Sequence, residues 1–246
     1  MKSFIPWIGG KSILAKKIVS MFPNDFDRYI EVFGGGGSVL FAKDKHAPLE
    51  VYNDANGQLV NLFRCIRFHR EELQREISGY INAREIFEDI RAQINVRGMT
   101  DIQTAAMFYI QIKISYGADG KAYGCNKKNI SLEYLTEIEK RLKSGAGVVI
   151  EHKDFENLIK VYDRPNALFY CDPPYHTTEK YYDVLFTDSD HIRLKDSLSG
   201  IKGRFILSYN DDEYVRELYK DFNITETERQ NNLSKGSYKE LIITNY

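Results

Sequence analysis

Five residues of strand propensity, Tyr29-Ile30-Glu31-Val32-Phe33, run directly into Gly34-Gly35-Gly36-Gly37-Ser38, after which Val39, Leu40 and Phe41 open a helical pattern. Aromatic and β-branched side chains suit a pleated surface, and four successive glycines suit neither strand nor helix, so the segment predicts strand, tight turn, helix. The theme recurs: a second strand ends near Val51-Tyr52 with Asn53-Asp54 at its tip, and a long helical pattern follows through Leu59, Leu62, Phe63 and Ile66. Ahead of both, Leu14, Ile18 and Phe22 share a helical face within residues 12–22, which Pro23-Asn24 ends. Strand patterns return at residues 148–150, 168–171, 205–209 and 241–245, the middle two separated by a helix carrying Leu194 and Leu198. Such alternation predicts an α/β chain with a largely parallel sheet covered on both faces. Residues 70 to about 145 are mainly helical in pattern and charge-rich. They predict a helical domain at 58–145, inserted between two parts of one sheet domain at 1–57 and 146–246.

With 246 residues, 43% of them hydrophobic, the chain can bury one substantial core and a small appended unit. Its apolar runs, such as 205–207 and 241–243, fall far short of the roughly 20 residues of a membrane span, and the expectation is a cytoplasmic protein with no membrane partner. Cys65, Cys125 and Cys171 form no CxxC pair and are expected as buried thiols, while His46, His69, His152, His176 and His191 show no ligand spacing, so no metal is expected. The net charge of −1 provides no global field for a nucleic acid. Residues 58–145 are locally basic, with 14 Lys and Arg against 11 Asp and Glu. Within them Lys113, Lys121, Lys127 and Lys128 face Asp119 alone in a stretch that also holds Tyr116, Gly117, Gly120, Tyr123 and Gly124. That mixture suits a loop lying on phosphates, and equally a solvated loop.

The tetrapeptide Asp172-Pro173-Pro174-Tyr175 follows a hydrophobic strand, where the carboxyl ends of an open α/β sheet form the usual crevice. An exocyclic amine on a nucleobase is a poor nucleophile because its lone pair is delocalised into the ring. Hydrogen bonds from its N–H groups to the Asp172 carboxylate and to a carbonyl of the rigid Pro-Pro turn would localise that pair, and Tyr175 offers a stacking face. Asp-Pro-Pro is also ordinary turn chemistry, so the tetrapeptide carries weight only with its surroundings. Two nucleotide motifs fail: Gly9-Gly10-Lys11-Ser12 lacks the earlier glycine of a P-loop, Ile5 standing there, and residues 34–39 do not complete G-x-G-x-x-G.

The surroundings run in order through Pro6-Trp7-Ile8-Gly9-Gly10-Lys11, residues 31–38, Asn53-Asp54, Asp154-Phe155, residues 170–175, Leu207-Ser208-Tyr209-Asn210 and Glu240-Leu241-Ile242-Ile243-Thr244-Asn245-Tyr246. In these the chain closely resembles the Dam-like, D12-class adenine-N6 DNA methyltransferases of the α group. The resemblance implies a Rossmann-like methyltransferase sheet with an inserted helical target-recognition domain, S-adenosyl-L-methionine as cofactor and double-stranded DNA as substrate. It implies that Trp7 and Lys11 lie against the cofactor, that Asp54 receives the ribose hydroxyls, and that Asp154 and Phe155 hold the adenine ring. Glu31, Phe33, Gly34, Gly35 and Gly36 would bind the cofactor, with glycines 34 to 37 letting the backbone approach its methionine moiety, where side chains would collide with it. Asp172 would be catalytic, with Pro173, Pro174 and Tyr175, and would also lie near the methionine amino group. Tyr116, Lys121, Tyr123, Lys127 and Lys128 are the expected DNA contacts, Tyr116 either filling the gap left by a flipped base or packing in the core. The chain departs from relatives specific for GATC at residues 115–124, which hold no arginine, the usual bidentate reader of guanine.

Cytosine N4 or RNA as the methyl acceptor, and a catalytically silent DNA-binding subunit, stay open at this point. A cytosine-C5 enzyme does not, because the chain has no Pro-Cys pair. A cognate restriction endonuclease is an open partner, and the expected state is a monomer or weak dimer.

Overall fold

The computed structural model describes residues 1–125, 132–177, 186–230 and 237–246. Among these residues, seven strands form one sheet: β1 (Arg28–Glu31), β2 (Leu49–Asn53), β3 (Val149–Glu151), β4 (Ala167–Cys171), β5 (Arg204–Asn210), β6 (Asn223–Gln230) and β7 (Ser237–Thr244), in spatial order β3-β2-β1-β4-β5-β7-β6. The first five are parallel, and β7 runs antiparallel between β5 and β6. The α/β reading holds, with this antiparallel pair at one edge. The sequence reading missed β6, because Asn-Ile-Thr-Glu-Thr-Glu-Arg-Gln has the polar, charged composition of an edge strand.

Period-two alternation distributes the strand side chains between two cores. Leu168 and Tyr170 of β4 face one side with Tyr29 and Tyr52, and Ala167, Phe169 and Cys171 face the other with Ile30, Val51, Phe205 and Leu207. Every residue of β4 is buried, as expected of a central parallel strand covered on both faces. The second face packs on α6 (Phe155–Tyr162), α7 (Asp188–Ser199) and α8 (Glu213–Leu218) through Leu158, Leu194, Leu198 and Val215. The first is covered by α1 (Ala15–Ser20) and by α2 (Gly57–Ser78), whose Leu59, Leu62, Phe63 and Ile66 are buried there.

Between β2 and β3 the chain forms α2, α3 (Arg84–Gln93), α4 (Asp101–Ile114) and α5 (Tyr134–Lys143). Helix α4 is apolar almost all round, which fits its central place in this helical group, and a Thr100/Gln103 capping box starts it. The group shares the first core with the sheet. A buried ion pair pins it further: Arg141 of α5 meets Glu50 of β2 through Nη1 at 2.8 Å and Nη2 at 2.7 Å.

That arginine also explains a departure from expectation. Beyond the glycines there is only a 3-10 turn, Leu40–Ala42. Arg141 takes the carbonyls of Leu40 and Lys43, which a longer helix would have given to its own amides, and the chain must reach β2 at Leu49. Cys65 and Cys171 are buried as expected, but Cys125 is exposed, because it leaves the surface hairpin that follows α4. No helix among the described residues is long and apolar enough to cross a membrane.

Candidate active site

From β1 the chain moves outward to β2 and β3, then returns to place β4 on the other side of β1. The loops that leave β1 and β4 therefore diverge at the carboxyl edge and open a crevice between them. A cavity of about 170 Å³ occupies it. Its wall contains Trp7, Lys11, Glu31, Phe33, Gly34, Gly35, Gly36, Asp54, Asp154, Phe155, Asp172 and Pro174, so every expected cofactor residue meets here. Pro173 and Tyr175 are not part of that wall. Ile112, Ala118 and Asp119, from α4 and the hairpin after it, are.

The glycine turn is tied down from two directions. Gly34 N–H donates to Asn53 O at 2.8 Å, Gly35 N–H to Asp54 Oδ2 at 2.7 Å, and Tyr52 Oη to Gly35 O at 2.8 Å. A Cβ on Gly34 would fall within the Tyr52 ring, and one on Gly35, whose φ is +49°, would meet Trp7. The glycines are thus required by the packing of Tyr52 and Trp7, a reason independent of any ligand. Asp54 does not cap α2; Asn56 does, accepting from Leu59 N–H, while Asp54 Oδ1 accepts from Asn56 N–H at 2.8 Å. Burial raises the Asp54 pKa, opposed by those backbone donors.

Two other carboxylates share the wall. Glu31, accepting from Tyr29 Oη at 2.7 Å, is pushed up to about 8 chiefly by burial, with the nearby Asp172 charge acting in the same direction. Asp172 is likewise raised by burial, opposed by Lys11. The Lys11 ammonium, itself buried, lies 2.8 Å from Asp172 Oδ1, donates to Gly9 O at 3.0 Å and stands 4.6 Å from the centre of the Tyr175 ring. Ser208 Oγ reaches Asp172 Oδ1 at 3.2 Å.

At the β3 side the cavity is aromatic. Phe33, Phe155 and Phe186 pack with ring centres 5.6–5.8 Å apart, and the Arg193 guanidinium lies 4.3 Å over Phe155. Arg193 Nη2 is 2.6 Å from Asp154 Oδ2. Two groups here escaped sequence reasoning. Arg193 and Phe186 come from a segment without a motif. Asn53 was visible beside Asp54 but its task was not: its amide donates to Val32 O and Lys153 O and accepts from Lys153 N–H, stitching together the ends of β1, β2 and β3.

The arrangement can hold a ligand with a cationic centre near Asp172, polar groups near Glu31, hydroxyls near Asp54 and a flat ring among the phenylalanines, which fits the parts of S-adenosyl-L-methionine. The expected DNA contacts lie apart from these groups. Tyr116 is 68% exposed, which excludes the core role; Lys121 is exposed, Tyr123 half-buried, and Lys127 and Lys128 lie outside the described residues. His176 stands at the rim, its Nδ1 3.2 Å from Asp212 Oδ2.

The chain is similar to known methyltransferases along nearly its whole length. The chain is 28% identical to the type II methyltransferase M1.LlaDCHI of Lactococcus lactis subsp. cremoris, covering all of this chain and 96% of that one. It is 24% identical to the type II methyltransferase M.CviBI of Paramecium bursaria Chlorella virus NC1A (94% and 91% covered), and 22% identical to the DNA adenine methylase of Haemophilus influenzae (98% and 90% covered). The profile of D12 class N6 adenine-specific DNA methyltransferases matches residues 7–233. The chain belongs to that family, and with it to the enzymes that use S-adenosyl-L-methionine to methylate adenine N6 in DNA.

Proposed function

We propose that the cavity and the Asp172-Pro173-Pro174-Tyr175 turn form one methyl-transfer site for an adenine turned out of duplex DNA. The observation that carries this is the position of the Lys11 ammonium, an N–H donor held simultaneously against the Asp172 carboxylate and over the Tyr175 face. An adenine stacked on Tyr175 would present its N6–H to that carboxylate, with Lys11 keeping its place on Oδ1.

S-adenosyl-L-methionine, when bound, supplies an electrophilic methyl group on a good leaving group. The residues do the rest. Asp172 accepts from N6–H, offsets the positive charge that grows on nitrogen and takes up the N6 proton released as the N–methyl bond forms, from where it passes to solvent; a Pro-Pro carbonyl accepts the second N–H, and Tyr175 fixes the ring plane. Ser208 and Lys11 hold the Asp172 carboxylate in place. Trp7 and the glycine turn border the methionine part, Asp54 takes the ribose hydroxyls, and Asp154 with Phe155 takes the cofactor's adenine.

Residues 58–145 act in this reading as the target-recognition domain, with Tyr116, Lys121 and Tyr123 on the DNA side. The type II relatives support a setting beside a cognate restriction endonuclease; the reading further places the chain in the cytoplasm as a monomer or weak dimer. Nucleoside analysis of duplex DNA after single-turnover methylation tests the assignment. N6-methyladenine from the parent is expected, and N4-methylcytosine would overturn it.

A further inference from the structure

Residues 115–124 contain no arginine, yet the fold brings one to them. The segment is a tight hairpin on the end of α4: Tyr116 N–H donates to Ala122 O at 2.7 Å, Gly124 N–H to Ile114 O at 2.8 Å, and Gln111 Nε2 to Gly120 O at 2.8 Å. Its inner end, Ala118 and Asp119, lines the cavity. Its outer end carries Tyr123, packed on Phe87 of α3 and donating its hydroxyl to Asn82 Oδ1 at 3.0 Å. Arg84, the first residue of α3, lays its guanidinium 5.0 Å over the Tyr123 ring, and its Nη2 lies 3.1 Å from Cys125 Sγ. The side chain is exposed and makes no ion pair among the described residues.

We propose that Arg84 is a specificity-determining residue that reads a guanine beside the target adenine. The proposal rests on the DNA-methylating reading above. A stacked guanidinium has its plane fixed and has already lost much of its rotamer freedom, so it can present two parallel N–H donors to guanine O6 and N7. Guanine alone shows two acceptors side by side in the major groove; adenine replaces one of them with a donor. A phosphate contact would ask only for charge, which Lys121 on the same hairpin already provides. Asp119 on the cavity wall and Tyr123 under Arg84 are four residues apart on one hairpin, at most about 14 Å of extended chain, so in this reading Arg84 would meet a base close to the one being methylated.

The test is long-read modification sequencing of a randomised duplex library methylated by the full chain. The parent should show a guanine at one position of its site. Arg84→Lys, which keeps the charge and loses the fork, should lower that preference by about ten- to hundredfold while cofactor affinity and thermal midpoint stay near those of the parent. Tyr123→Leu, which removes the stack, should loosen the same position, and it decides the matter should Arg84→Lys not fold. A parent site without guanine overturns the proposal. So does an Arg84→Lys variant that methylates every sequence more slowly with the same preferences and a salt dependence weakened by about one phosphate, the signature of a backbone contact. A parent that leaves no N6-methyladenine at all would instead refute the underlying reading.

Discussion

At the carboxyl ends of β1, β2 and β4, Glu31 and Asn53 are almost wholly buried, and Asp172 sits between the buried groups Lys11 and Ser208. In the hairpin that faces them across the cavity, Tyr116 is 68% exposed and Lys121 is surrounded by solvent. The first region is held by strands that are buried up to their carboxyl ends; the second is held mainly by its own backbone bonds and a few contacts to α3 and α4. In the proposed mechanism a carboxylate must stay aligned with a reacting amine, and the rigid sheet is the part of the fold suited to hold it. A surface that reads sequence must change between relatives, and a hairpin on a helical insert can do so without disturbing the sheet.

The comparison predicts unequal consequences of substitution. Asp172→Ala should lower single-turnover methyl transfer by about a thousandfold or more while the fold persists, and Asp172→Asn should leave a trace, its amide oxygen still accepting but without charge. Transfer at parental rates from the alanine variant would refute the mechanism. Next comes the joint between the regions. Arg141→Met leaves Glu50 buried without its partner and should cost about 3–5 kcal/mol in denaturant unfolding, whereas a smaller loss would mean that water reaches Glu50.

Glu31 gives the third prediction. Its folded pKa, about 8, lies above the ordinary carboxylate value of 4.5. The folded protein therefore keeps a proton that the unfolded chain releases, so this stabilisation is complete below about pH 4.5 and is lost as the pH rises through about 8. Glu31→Gln should flatten the pH dependence of the unfolding free energy over that window by about 3–5 kcal/mol relative to the parent, and parallel pH profiles would disprove the shift. Asp54→Ala should weaken cofactor binding by about ten- to hundredfold in calorimetry, the loss of a charge-assisted hydrogen bond; equal affinity would remove it from the ribose role. Smallest of all, Tyr116→Ala should change stability by within about 0.5 kcal/mol and be felt only when DNA is present. A larger unfolding effect would show that the hairpin is part of the core after all.

Much of the fold was legible in the residues. Strands β1, β2, β4 and β5 announced themselves because buried parallel strands are rich in Ile, Val, Phe, Tyr and Leu, even where Glu31 and Glu50 interrupt them. Strand β6 did not, since an edge strand faces solvent and carries solvent's residues. The helix expected beyond the glycines failed for a reason no local pattern holds: an arginine about a hundred positions away claims its carbonyls.

The sequence by itself determined which residues could bind and react, because glycine turns, an acidic strand tip and Asp-Pro-Pro-Tyr have a chemistry that is local. Only the tertiary structure decided their company. It set Lys11 on Asp172, closed the aromatic end of the cavity with Phe186 and Arg193, and carried Arg84 to a hairpin without an arginine of its own. Those pairings join residues 31 to 161 positions apart, and what fixes them is the order of the strands and the packing of helices on the sheet, which no short stretch of sequence contains.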